Sequence, residues 1–163
     1  STQPMPMPTP RCRLLSVAKK ALCVRRTETV LLPTQYSTAR LWRDQPGVTV
    51  LTDDRVIVRV VDGRPTMFGT PWHGDEPLAA SHQAPITRIF VLEHGDTNTT
   101  APLDQASAVA ALLARCFPPF HDREGMASTL EQLDSITRGV RVDRLRFVPT
   151  PEIVECVRGW TRP

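Results

Sequence analysis

The sequence predicts a mixed α/β protein, of α/β or α+β type, folded as one domain. Three observations carry this expectation. Short β-branched apolar runs alternate with longer stretches whose apolar residues recur at helical spacing. The length of 163 residues suits one domain and is enough to bury a core without a disulfide or metal. Hydrophobic residues at 40% and charged residues at 23% are the balance of a folded chain, not a disordered one.

Taken in order, residues 1–10 end in alternating proline, which blocks both helix and ladder, so a disordered tail is expected there. Residues 11–163 then form the domain. Arg11 to Arg26 reads as a short helix or a strand, because Val17, Ala21 and Val24 share a helical face that Leu14, Leu15 and Leu22 blur. Thr29 to Leu32 is a short apolar strand closed by Pro33. Ser37 to Asp44 follows as a helix stopped by Gln45-Pro46-Gly47. Val48 to Leu51 is a strand ending at Asp53-Asp54. Arg55 to Val61 and Pro65 to Gly69 make a hairpin around Asp62-Gly63, a dipeptide suited to left-handed backbone.

Thr70 to Pro85 has no periodicity and reads as a long loop, a feature that often carries function. Ile86 to Leu92 is an apolar strand, and Glu93 to Thr100 a polar turn region. Pro102 to Cys116 is a helix with a stripe of Leu103, Ala106, Val109, Ala110, Leu113 and Phe117. Asp122 caps a second helix, with Met126, Leu130, Leu133 and Ile136 inward and an end near Gly139. Val140 to Val148 is a strand. Thr150-Pro151-Glu152 opens a last helix, with proline at its first position.

Charge narrows the function classes. Residues 1–52 carry eight basic and two acidic groups, a balance of +6; residues 53–163 carry 12 basic and 15 acidic, a balance of −3. A basic front end can meet phosphates or be a solvated face. No aromatic residue lies between Arg11 and Arg26, so a base-stacking platform is missing and a nucleic-acid partner is not favoured. No apolar run reaches the ~18–20 residues of a membrane span, so no membrane partner is expected. The four cysteines include no C-x-x-C pair, which suits free thiols in the cytoplasm.

Three places are candidates for chemistry. Ser37 and Thr38 sit where a P-loop would place its hydroxyl, although taken alone helix capping is the simpler reading. Asp53 and Asp54 lie at a strand end, where sheets bind ligands; one carboxylate suits Mg²⁺ and its neighbour a hydroxyl proton. They share one site only if the strand has ended there, and an Asx-turn is the plainer reading. Thr70 and Trp72 belong to the Gly69–Asp75 loop, where Trp72 would stack on a ring or pack. A metal site built from the scattered histidines is not favoured, because three or more ligands would have to converge.

An ordered set of segments then resembles a known family. These are Leu51-Thr52-Asp53-Asp54-Arg55, Gly69-Thr70-Pro71-Trp72, Ala84-Pro85-Ile86 with Ile89-Phe90-Val91-Leu92, the run from Phe117 to Met126, and Leu145-Arg146-Phe147-Val148-Pro149. In this order they are similar to HPr-kinase-like proteins (serine kinases of HPr protein), within the group sharing the phosphoenolpyruvate-carboxykinase-like P-loop nucleotide-binding fold. The similarity runs from Val30 to Val157.

The resemblance implies that Ser37 and Thr38 contact phosphate, with Ser37 and Asp54 at Mg²⁺. It implies that Asp53 and Asp54 form the acidic pair of proton transfer, and that Thr70 and Trp72 border the nucleotide. ATP and Mg²⁺ would be the cofactors of an active domain. The phosphoryl acceptor would be a protein serine or a small hydroxyl-bearing molecule, and an oligomer is compatible with the apolar positions. The family has glycines and a lysine at the positions from Pro33 to Tyr36, where this sequence has none. That departure implies a degenerate P-loop, or one truncated at the N-terminal side, and impaired phosphoryl transfer. The alternative is a non-catalytic pseudo-kinase or partner-binding domain.

Overall fold

The computed structural model describes residues 15–18, 21–24, 28–31, 38–72, 74 and 77–161; residues before 40 and residue 161 are described by backbone alone. The expected tail at residues 1–10 and the residue Ser37 lie outside the described residues.

The chain forms a mixed α/β structure. Its elements are β1 (Leu15–Ala18), β2 (Ala21–Val24), β3 (Glu28–Leu31), α1 (Thr38–Arg43), β4 (Val48–Thr52), β5 (Arg55–Val61) and β6 (Arg64–Phe68). Then come β7 (Gln83–Pro85), β8 (Arg88–His94), β9 (Thr99–Pro102), α2 (Gln105–Leu113), α3 (Arg123–Gly139), β10 (Arg141–Phe147) and α4 (Glu152–Thr161). The ambiguous stretch from Arg11 to Arg26 contains two strands, β1 and β2.

Two sheets organise these strands. The larger has the order β4-β2-β3-β8-β10-β9 and the smaller β1-β5-β6-β7. The pairs β3–β8 and β8–β10 are parallel. Parallel strands need cover on both faces, and the core residues divide accordingly. On one face of β8 and β10, Ile89, Val91 and Val142 join Leu133 and Ile136 of α3, Leu112 of α2, and Val56, Val58 and Met67 of the smaller sheet. On the other, Phe90, Leu145 and Phe147 pack with Trp42 of α1 and Ile153, Val154 and Val157 of α4. Period-2 alternation in the strands therefore sorts the side chains into two cores.

Strand direction matters for the site. β4 and β3 are each antiparallel to β2, so they run parallel to one another. Leu31 and Thr52, the last residues of β3 and β4, both pair with Ala21. They therefore sit at the same level of the sheet, about 10 Å apart across two strand spacings. The chain leaves both strands at the same end of the sheet.

Several local expectations hold and others are corrected. Asp62 and Gly63 take φ of 50° and 76°, the left-handed pair of the β5–β6 hairpin. Asp122 caps α3 by accepting from the Glu124 N–H at 3.1 Å, and α3 ends at Gly139. The α2 stripe holds in part: Leu103, Val109 and Leu113 pack against the core. The buried residues of the helix are Ala108 and Leu112, while Ala106 and Ala110 are exposed and Phe117 lies beyond the helix end. Asp104 starts the helix later than the apolar pattern alone suggests, its carboxylate accepting from the Ser107 N–H at 2.9 Å. In α3, Leu130 is exposed, and Thr129 and Thr137 are buried instead. Their hydroxyls donate to the carbonyls of Gly125 and Leu133, both at 2.8 Å, which satisfies them internally.

Candidate acidic site at the end of β4

The Asp53-Asp54 pair sits in a bend that carries the chain from the larger sheet into the smaller one. β4 ends at Thr52 and β5 begins at Arg55, so neither aspartate is constrained by strand alternation. Thr52, fully buried, builds the bend. Its hydroxyl donates to the Trp72 carbonyl at 2.7 Å and accepts from the Asp54 N–H at 3.1 Å. A threonine hydroxyl thus helps build the turn.

The 69–74 loop closes over the bend. Gly74 donates its N–H to Asp53 Oδ1 at 2.7 Å, and the Thr70 hydroxyl donates to the Arg55 carbonyl at 2.6 Å. At the loop base, Gly69 donates to His82 O and Ala80 donates to Leu51 O, each at 2.9 Å. Glycine is required at the base, because a Cβ at residue 69 would stand 2.0 Å from the Ala80 carbonyl oxygen.

The two aspartates occupy different environments. Asp53 is 1% exposed, and one of its oxygens is bonded to Gly74. The Asp54 side chain is 29% exposed, with Oδ2 lying 3.4 Å from Arg55 Nε. The Arg55 guanidinium lies over the Phe117 ring, 4.9 Å from its centroid. Trp72 and Phe117 are each about half exposed and Phe120 more so. The surface beside the acids is therefore aromatic.

Mg²⁺ binds through one or two carboxylates, waters and substrate phosphates, not a full protein cage. Among the described residues no cluster of three or more His, Cys, Asp or Glu forms a metal cage. Both aspartates are hard oxygen donors, the type Mg²⁺ takes, and Gly74 packs close against them. A Cβ there would come 3.1 Å from Asp53 Oδ2 and 3.6 Å from Asp54 Cβ.

Of the residues expected at the site, the structure brings together Asp53, Asp54, Thr70 and Trp72. Thr38 opens α1, and its side chain lies outside the description, as does Ser37. Thr52, Arg55 and Phe117 stand in the segments that carry the resemblance and Gly74 in the Gly69–Asp75 loop, but sequence reasoning gave none of them an individual role at the site. Thr52 carried a readable signal, a hydroxyl two positions before the residue whose N–H it accepts. Phe117 carried none, because its approach to Arg55 is tertiary. Arg88 and Arg144 pair with Asp143 at 2.7 Å and Glu93 at 3.1 Å.

No protein-family model matches the chain, and no curated protein matches it. Among solved structures, the chain is similar to the HPr(Ser) kinase/phosphatase from Coxiella burnetii. The likeness is distant: 12% sequence identity and a TM-score of 0.44, over 89% of this chain and 97% of that one. Among the described residues no helix is long and apolar enough to cross a membrane.

Proposed function

We propose that the chain is an HPr-kinase-like nucleotide-binding domain of phosphoenolpyruvate-carboxykinase-like fold, acting in the cytoplasm, with its Mg²⁺–ATP site at the Asp53-Asp54 bend. One observation carries the reading. The acidic pair leaves β4 at the same end and level of the sheet as the exit of β3, which leads toward Ser37 and Thr38. Parallel strand ends are where open sheets hold ligands.

The roles divide by exposure. Asp54, the more open carboxylate, would hold Mg²⁺, with Ser37 the second ligand that the resemblance implies. Asp53 would take the proton of the acceptor hydroxyl as that oxygen bonds to the γ-phosphorus and ADP leaves. Bound Mg²⁺ supplies neutralisation of phosphate charge. Thr70 holds Arg55 and so borders the nucleotide indirectly, while Trp72 offers an exposed ring face. The acceptor class is a serine hydroxyl of a protein or a small-molecule alcohol.

The absent lysine favours a second reading for turnover. Positions 33–36 hold no glycine and no lysine. Without that cradle, transition-state stabilisation falls by several kcal/mol, about 3–4 for each lost donor group. A domain that binds nucleotide and serves as a pseudo-kinase or partner-binding module is the form that reading takes. Calorimetric titration of Mg²⁺–ATP into wild type and Asp54→Asn tests the proposal. Binding at or below millimolar nucleotide, weakened in the variant, supports it. No heat at millimolar nucleotide with wild type refutes it. Labelled phosphate transfer then separates kinase from pseudo-kinase.

A further inference from the structure

The structure assigns to Arg55 the part of the cation that positions 33–36 lack: we infer that Arg55, stacked on Phe117 next to Asp54, is the phosphate-facing positive charge of this site. The inference rests on the nucleotide-site reading above.

Three observations support it. Arg55 directly follows the acidic pair, and its side chain is 46% exposed, so its charge is open to a ligand. The contact from Nε to Asp54 Oδ2 is 3.4 Å, beyond the 2.7–3.2 Å N–H···O range. It is a loose ion pair that a divalent cation on Asp54 would replace. Two contacts fix the residue from other sides: the Phe117 ring at 4.9 Å, and the backbone carbonyl that accepts from Thr70 at 2.6 Å. A guanidinium lying on an aromatic ring keeps the donors on its edge, in the fork geometry that matches phosphate oxygens. Once Mg²⁺ holds Asp54, the freed guanidinium stands beside the metal-bound phosphates. In a P-loop the lysine ammonium occupies that place.

Two further features fit this role. Phe117 is 55% exposed, yet it seats Arg55. Thr70 is buried, and its hydroxyl is spent on the carbonyl of Arg55.

The test is binding of Mg²⁺–ATP and of Mg²⁺–pyrophosphate to wild type, Arg55→Ala, Arg55→Lys and Phe117→Leu, at two salt concentrations. Thermal melting of each variant is measured alongside. The expected result is a loss of tenfold or more in affinity for both ligands with Arg55→Ala. Partial recovery is expected with Arg55→Lys, and a smaller loss with Phe117→Leu. The salt dependence should be shallower in Arg55→Ala, because one charge contact is gone. Adenosine without phosphate should bind all four alike. Equal affinity of wild type and Arg55→Ala for the phosphorylated ligands would overturn the inference and leave the nucleotide site standing. Failure of wild type to bind either phosphorylated ligand would overturn both. A loss in Arg55→Ala that Arg55→Lys does not recover, with lowered melting, would show a packing role and overturn the inference alone.

Discussion

Gly74 donates its backbone N–H to Asp53 Oδ1 at 2.7 Å across 21 positions of sequence, and this bond closes the 69–74 loop over the acidic bend. The acceptor is a carboxylate in a buried setting, so the bond is of the stronger, charge-assisted kind. Asp53→Ala removes the acceptor and should lower stability by about 2–3 kcal/mol in urea unfolding. Asp53→Asn keeps an oxygen acceptor and should lose about half as much. Equal losses would show that the charge and the bond are not what hold the loop.

Gly69→Ala attacks the same loop at its base. The added Cβ would meet the Ala80 carbonyl oxygen at 2.0 Å, and that oxygen belongs to backbone. The cost should reach about 3 kcal/mol, at the upper end for overpacking. Gly63→Ala has open space around its Cβ but φ of +76°, so its loss should be only the left-handed strain, about 1 kcal/mol. Parallel chemical denaturation of the two variants gives the ranking.

Asp143 is fully buried between Arg88 and Arg141, with contacts of 2.7 and 3.0 Å. Arg88 also donates to the carbonyl of Trp160, tying α4 to the sheet. Asp143→Ala strands that arginine and should cost about 3–5 kcal/mol. A double replacement of Arg88 and Asp143 by apolar residues should cost clearly less than the single change. A full double-mutant cycle in urea measures the coupling.

Acid should weaken the fold through exposed carboxyls. Asp134 is held below its ordinary value of 3.8 by the hydrogen bond from Arg138 and then by that from Gln105. Asp104 is held below 3.8 by the Ser107 hydroxyl and N–H at the start of α2. A lowered folded-state pKa gives stability that is present above the unfolded value and lost as pH falls through the folded one. Melting temperature should therefore drop as pH is lowered below 3.8, and a variant carrying Asp104→Asn and Asp134→Asn should show a flatter acid limb. An unchanged slope would contradict this.

Much of the fold was legible because local chemistry and tertiary environment agree. The hairpin at Asp62-Gly63, the cap at Asp122 and the end of α3 at Gly139 each follow from a residue whose own backbone preference decides the turn. β9 was not legible: Thr99 to Pro102 is polar and proline-ended, and it pairs only at the sheet edge beside β10. The α2 stripe was legible in part: Leu103, Val109 and Leu113 do pack against the core, but the stripe was run past both ends of a helix that spans residues 105–113. The buried threonines of α3 escaped any apolar count, since their burial depends on hydroxyl bonds to the preceding turn. At the site, Asp53 and Asp54 could be named from type and position. The difference between a buried Asp53 and a more open Asp54 could not, because it depends on Gly74, 21 positions away, and on Phe117, which seats Arg55.

The central claim is that the Asp53-Asp54 bend holds a metal–nucleotide pair. Manganese broadening of backbone amide resonances tests it most directly, with Mn²⁺–ATP titrated into isotopically labelled protein at substoichiometric metal. The account predicts selective broadening of the amides of Asp54, Arg55 and Gly74, abolished by Asp54→Asn. Broadening centred elsewhere, or none at those three amides with millimolar nucleotide present, would contradict it.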